Sequence, residues 1–66
     1  MGWINVEDRL PDGKNEESCI SRTVFLETRQ GIVMQAYYDY RYKRWFNLKG
    51  FIIPNPLQWE DYHLNN

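Results

Sequence analysis

The sequence predicts a mainly β fold: a small curled antiparallel sheet of three to four strands, with room for one short helical turn over residues 6–10. Three observations carry this. Apolar residues recur with period two in the runs 19–27, 32–38 and 57–62, as half-buried strands require. Helix-period patterning never lasts three turns. Turn-forming residues, among them Pro11, Gly13, Gly31, Gly50, Pro54 and Pro56, separate the runs.

Sixty-six residues make one domain, 1–66. A chain of this size recovers only about 60% of its unfolded surface on folding, so it has room for one small core. Aromatic residues make up 17% of the chain, and their large area supplies core volume that a short chain otherwise lacks. Eight Lys and Arg against nine Asp and Glu give a net charge of −1, neither a nucleic-acid polycation nor an acidic mimic of one. Cys19 is the one cysteine and His63 the one histidine. That excludes an intrachain disulfide and a four-ligand zinc site, and it fits a reducing, cytoplasmic setting. No window approaches the roughly 20 apolar residues of a membrane span, and the first residues lack the apolar stretch of a secretory signal. Met1-Gly2 is not followed by Ser or Thr at position 6, where Val6 stands, so a myristoylation reading is set aside. No cofactor and no membrane partner are expected.

Taken in order, Trp3, Ile4 and Val6 open an apolar run cut short by Glu7-Asp8-Arg9, which predicts an edge strand or a single helical turn. Leu10-Pro11-Asp12-Gly13 forms a tight turn, and the polar residues 14–18 form a loop. In 19–27, Ile20, Val24 and Leu26 fall in phase on one face and Phe25 on the other. Gly31 supplies the positive φ of a short hairpin loop. In the next strand Ile32-Met34-Ala36-Tyr38 is the apolar face and Val33-Gln35-Tyr37 the opposite one. A third strand spans 45–48. Pro54 and Pro56 each remove a ladder donor, so 54–56 reads as an extended rim. In the last strand Leu57, Trp59 and Asp61 fall in phase, and the tail 63–66 frays. The expected core is Trp3, Val24, Leu26, Met34, Ala36, Tyr38, Trp45 and Trp59, with the Trp3 region and the Trp59 strand packing over the central hairpin.

Trp3-Ile4-x-Val6-x-x-Arg9-Leu10-Pro11, followed by Gly31-x-Val33-x-x-Ala36-Tyr37, Trp45 and a closing Trp59, resembles the small bacterial and phage proteins grouped as domain of unknown function 551. Members of that group open W-I-x-V-x-x-R-L-P. They often close His-Trp-Met-Pro, where this chain has Gln58-Trp59-Glu60-Asp61. The resemblance implies a compact β-rich module often encoded by phages or other mobile elements, with an accessory or host-directed role. It implies no substrate, cofactor or catalytic residue.

One stretch has a composition that a core does not require. Residues 31–46 hold six aromatics, and from Tyr37 to Trp45 these interleave with Arg41, Lys43 and Arg44. Residues 39–49 carry four cations against one carboxylate, a net of +3, whereas 7–17 carry a net of −3. The plain reading is that half of these aromatics fill the core while the cations solvate a hairpin tip. The functional reading makes Tyr40, Arg41, Tyr42, Lys43 and Arg44 a partner surface, because exposed Tyr beside Arg is the composition of a protein-binding hot spot. Stacking on aromatics with cations along phosphates would alternatively make 37–45 a platform for single-stranded nucleic acid, though the balanced charge argues for a protein partner. Unpaired sheet edges or an aromatic face also open the way to a homodimer, or to a structural, self-assembling protein.

Nothing resembles a catalytic set. Arg9 is expected to cap or pair within its own turn rather than hold an anionic ligand. Cys19 is expected to be a small buried hydrophobe, lacking neighbours that would stabilise a thiolate. The adjacent carboxylates Glu16-Glu17 and Glu60-Asp61 point to opposite faces of any strand and serve solvation. His63 stands in a fraying tail. The expectation is a small non-enzymatic protein-interaction module, binding and inhibiting a host protein in the bacterial cytoplasm.

Overall fold

A computed structural model describes residues 2–13 and 19–61. Five antiparallel strands form one open sheet: β1 (Ile4–Asn5), β2 (Val24–Thr28), β3 (Val33–Asp39), β4 (Arg44–Asn47) and β5 (Pro56–Asp61). Their order across the sheet is β1-β5-β2-β3-β4. The described residues contain no helix, and none is long and apolar enough to cross a membrane. The sheet has one strand more than the patterning predicts, because β1 is too short to show a period. The helical turn expected after it is a single hydrogen-bonded turn, with the Asn5 carbonyl accepting from Asp8 N (2.9 Å) and Arg9 N (3.3 Å). The expected loop 14–18 and tail 63–66 lie outside the described residues.

Strand alternation sends one set of side chains inward. Leu26 faces Met34 on one side and Trp59 on the other, Val24 faces Ala36, and Tyr38 faces Trp45. Val24, Leu26, Ala36, Tyr38, Trp45, Ile53 and Trp59 are buried together, with Ile4, Val6, Leu10, Met34 and Tyr40 packed against them. Two predicted core assignments change. Trp3 stays 38% exposed, since β1 turns Ile4 rather than its neighbour inward. Ile53, which the expected core leaves out, is buried.

The β2–β3 turn is held by Thr28, whose carbonyl accepts from Gly31 N and whose hydroxyl accepts from Ile32 N. Gly31 takes φ 88° there, a conformation only glycine adopts without strain. Upstream of β2 the predicted strand is interrupted. Ile20 bridges Asp39, whereas Val24 pairs with Ala36, so one extra residue lies on the β2 side and the chain bulges. Ser21 fills the break: its hydroxyl accepts from Tyr38 N (2.9 Å) and donates to the Arg22 carbonyl (2.7 Å). The bulge reverses the phase of Ile20, which therefore does not share the core face with Val24 and Leu26. It also leaves Cys19 exposed rather than buried as expected.

Beyond β4, Asn47 closes a turn through its side-chain oxygen, which accepts from Lys49 N and Phe51 N. Residues 51–53 then return along the outer edge of β4, with Asn47 N donating to Phe51 O and Ile53 N to Trp45 O. The chain next passes the β2–β3 turn, where Arg29 N donates to Asn55 O. It enters β5 on the far side of β2 at Pro56, which faces Thr28 across a register shift. A sheet whose two sides are joined so directly must curl, and Ile53 fills the resulting concavity.

The N-terminal segment closes that concavity from the other side. The indole N–H of Trp59 donates to the Arg9 carbonyl (2.7 Å), and the Tyr40 hydroxyl donates to the Pro11 carbonyl. Arg9 and Arg22 each lie over the Trp59 ring, 5.9 and 5.8 Å from its centroid, and Arg22 forks onto Asp61 (3.0 and 2.5 Å). Arg9, expected to cap or pair within its own turn, engages Trp59 through both its carbonyl and its guanidinium instead, and among the described residues it forms no ion pair.

Candidate functional site: the tip and outer face of the β3–β4 hairpin

Asp39 and Arg44 face each other at the end of the β3–β4 ladder, and Tyr40, Arg41, Tyr42 and Lys43 form the loop between them. Asp39 organises this loop. Its Oδ1 accepts from Arg41 N (2.9 Å), Tyr42 N (3.2 Å) and Arg41 Nε (3.3 Å), and its Oδ2 from the terminal guanidinium nitrogen of Arg41 (3.0 Å). Its carbonyl accepts from Lys43 N (2.7 Å). Five loop donors therefore converge on one residue, as in an aspartate-capped turn. Lys43 completes the reversal in the left-handed region, φ 57°.

The Asp39 side chain is almost wholly buried. The Arg41 guanidinium bonded to it, helped by the Tyr42 and Arg41 N–H groups and opposed by burial, holds its carboxyl below the usual carboxylate range. Asp39 is thus a fixed anion under the tip, and Arg41 is oriented rather than freely swinging. The same guanidinium lies 5.1 Å from the centroid of the Tyr42 ring, within cation–π distance.

The loop separates its two tyrosines. Tyr40 turns inward, meeting Tyr38 edge-on at 5.3 Å and reaching Pro11 through its hydroxyl. Burial, reinforced by Asp12 and opposed by Arg22, pushes its phenol above the usual range. The predicted partner surface must therefore be revised at this residue, which is part of the closure of the core. Tyr42 turns outward and is 64% exposed. Lys43 and Arg44 are exposed, and Arg41 is exposed on the side away from Asp39.

Tyr42 continues into a row on the sheet face that points away from the core. It meets Phe46 edge-on at 6.5 Å, and Phe46 stacks on Tyr37 at 5.8 Å with the rings 15° apart. The six aromatics of residues 31–46 are thus divided equally: Tyr38, Tyr40 and Trp45 inward, Tyr37, Tyr42 and Phe46 outward. Asp39 is the residue that sequence reasoning missed, although an Asp one residue before a polar hairpin loop is the signal of a capped turn.

Among the described residues no group of three or more His, Cys, Asp or Glu stands close enough to hold a metal ion. The carboxylates Glu16 and Glu17 and the residue His63 lie outside the described residues. Comparison with protein-family models, curated proteins and solved structures returned no match.

Proposed function

We propose that this protein is a non-enzymatic protein-interaction module and that Arg41, Tyr42, Lys43 and Arg44 at the hairpin tip contact its partner. One observation carries the reading: an exposed tyrosine lies under an arginine that a buried carboxylate already holds in place. An ordered side chain loses less entropy on binding than a free one, and Tyr and Arg dominate interface hot spots. With Lys43 and Arg44 alongside, the complementary surface is an acidic patch on a folded protein. The residues by which the chain resembles the phage-associated group support a host bacterial protein as the target and inhibition as the outcome, in the host cytoplasm.

Single-stranded nucleic acid fits less well. Three of the five aromatics that would stack bases, Tyr38, Tyr40 and Trp45, are turned into the core, and Asp39 already neutralises Arg41, which leaves few cations for phosphates.

Affinity capture from bacterial lysate tests the proposal. The parent chain is expected to retain a stoichiometric protein, and Tyr42→Ala combined with Lys43→Glu is expected to weaken capture at least about 30-fold, the loss of one hot spot. Both chains should give the same near-ultraviolet circular dichroism. Equal capture by the two, or oligonucleotide binding that falls steeply with salt, would overturn the reading.

A further inference from the structure

Tyr40 belongs to two parts of the molecule at once. It is the first residue of the tip loop, next to the Asp39 that orders that loop. It is also fixed on three sides: its ring meets Tyr38 at 5.3 Å, its N–H donates to the Cys19 carbonyl (2.9 Å), and its hydroxyl donates to the Pro11 carbonyl. Pro11 is fully buried, so that carbonyl is a fixed acceptor. Two bridges join the same regions, Gly13 with Ser21 and Ile20 with Asp39. Backbone pairing thus leads from the N-terminal segment through residues 20–21 to the base of the tip.

The N-terminal segment is lightly attached. β1 pairs through two residues, and Val6 N donating to the Leu57 carbonyl extends the pairing by one bond. Its apolar side chains Ile4, Val6 and Leu10 pack on the core but are partly buried, whereas Val24, Leu26 and Trp59 of β2 and β5 are almost wholly buried. Segments with few buried apolar contacts open ahead of global unfolding. The segment nevertheless has a defined closed state, with the Trp59 indole on the Arg9 carbonyl and the Tyr40 hydroxyl on the Pro11 carbonyl. Opening breaks both bonds, and the second of them holds the tip.

We propose that the N-terminal segment is a latch on the tip. Closed, it holds Tyr40, and through it the loop capped by Asp39, in the conformation that presents Arg41 and Tyr42; open, it releases Tyr40 and the loop loosens. One hydroxyl donating to a buried carbonyl sets the coupling at roughly three- to tenfold. Coupling is reciprocal, so a partner bound at the tip closes the latch by the factor that closure contributes to the tip. That regulatory use rests on the tip as the contact surface, whereas the latch is a property of the free chain.

Amide hydrogen exchange of the free chain, followed residue by residue by nuclear magnetic resonance, provides the test. Leu10→Ala, and separately Val6→Ala, truncate side chains that hold the segment to the core and lie outside the tip. Each should speed exchange at the Val6 and Arg9 amides about tenfold and at the Arg41, Tyr42 and Lys43 amides at least about threefold. The Gly31 amide, bonded to the Thr28 carbonyl in the β2–β3 turn, should stay within about twofold and so excludes a general loosening. Tyr40→Phe should speed exchange at both the segment and the tip, and adding Leu10→Ala to it should move the tip amides by less than about twofold. Tip amides that stay unchanged in both truncations, a Gly31 amide that rises with them, or a full response surviving in the Tyr40→Phe background overturns the proposal. No partner enters these measurements, so failure of the latch and failure of the tip as a contact surface are separate results.

Discussion

Replacing Tyr40 separates a residue that closes the core from one that faces a partner. Tyr40→Phe keeps the ring against Tyr38 and removes only the hydroxyl that donates to the Pro11 carbonyl. Pro11 is buried, so its carbonyl loses a donor that water cannot readily replace. The loss is about 1–2 kcal/mol. Tyr40→Ala also removes the edge-on contact at 5.3 Å and leaves a partial cavity, which raises the expected loss to about 2–4 kcal/mol. A domain of this length has roughly 3–10 kcal/mol in all, so the alanine variant should sit close to unfolding. At about 4–8 °C per kcal/mol for a domain this small, Tyr40→Phe should lower the thermal midpoint by roughly 4–16 °C. Urea denaturation at pH 7 followed by tryptophan fluorescence gives the free energies, and Tyr42→Ala is the control, expected within about 0.5 kcal/mol of the parent. The same pair reports on the phenol. Because burial raises the folded pKa above the usual 10.0, the unfolded chain loses this proton first as pH rises. The contribution is complete below about pH 10 and is lost as pH climbs through the folded value. The parent should therefore lose stability above pH 10 more steeply than Tyr40→Phe. If Tyr40→Ala melts like the parent, the inward assignment of Tyr40 is refuted and with it the anchoring of the tip to the N-terminal segment.

Asp39→Asn tests the anion beneath the tip. A carboxyl held below its usual range contributes stability above the unfolded value near 3.8 and loses it as pH falls through the folded value. Denaturation midpoints measured between about pH 2 and 6 should fall at the acid end for the parent and stay flatter for Asp39→Asn. Lys43 holds φ 57° with a β-carbon, so Lys43→Gly should stabilise the hairpin by roughly 0.5–1 kcal/mol in urea titration. An unchanged or lower midpoint would show that the lysine side chain contributes something its exposure does not reveal.

The inward set of β3 was legible because three alternating apolar positions, Met34, Ala36 and Tyr38, meet a single rule without interruption. Trp59 was legible for the same reason. Ile20 was not, because one extra residue at the bulge reverses the phase of everything before it, and the compensating Ser21 hydroxyl leaves no periodic signal. Tyr40 and Tyr42 show the limit most directly. Two residues apart, they share a face in any extended strand, yet the loop capped by Asp39 and turned by Lys43 sends one to the core and the other to solvent. Composition grouped residues 40–44 as a unit, but their division depends on a φ angle and on contacts to a segment some 30 positions earlier. Ile53 was hidden by its neighbour Pro54: proline forbids regular ladder pairing, but it does not keep the preceding side chain out of a core.

The opening motif acquires a physical meaning that its sequence alone lacks. Arg9 and Pro11 offer their carbonyls to Trp59 and Tyr40, so the Arg-Leu-Pro turn is joined by backbone acceptors to one residue near the end of the chain and to one in its central hairpin. Leu10 packs on the core between them. A motif that works through backbone carbonyls and one apolar side chain specifies closure of a fold rather than recognition of a ligand. The indole of Trp59 must reach Arg9, whereas Glu60 and Asp61 beyond it are left to other demands. The partner contact proposed above then falls to residues outside the motif. Tyr42 and its flanking cations meet that condition, because they project from a loop whose geometry Asp39 fixes and whose base Tyr40 ties to the very turn the motif builds.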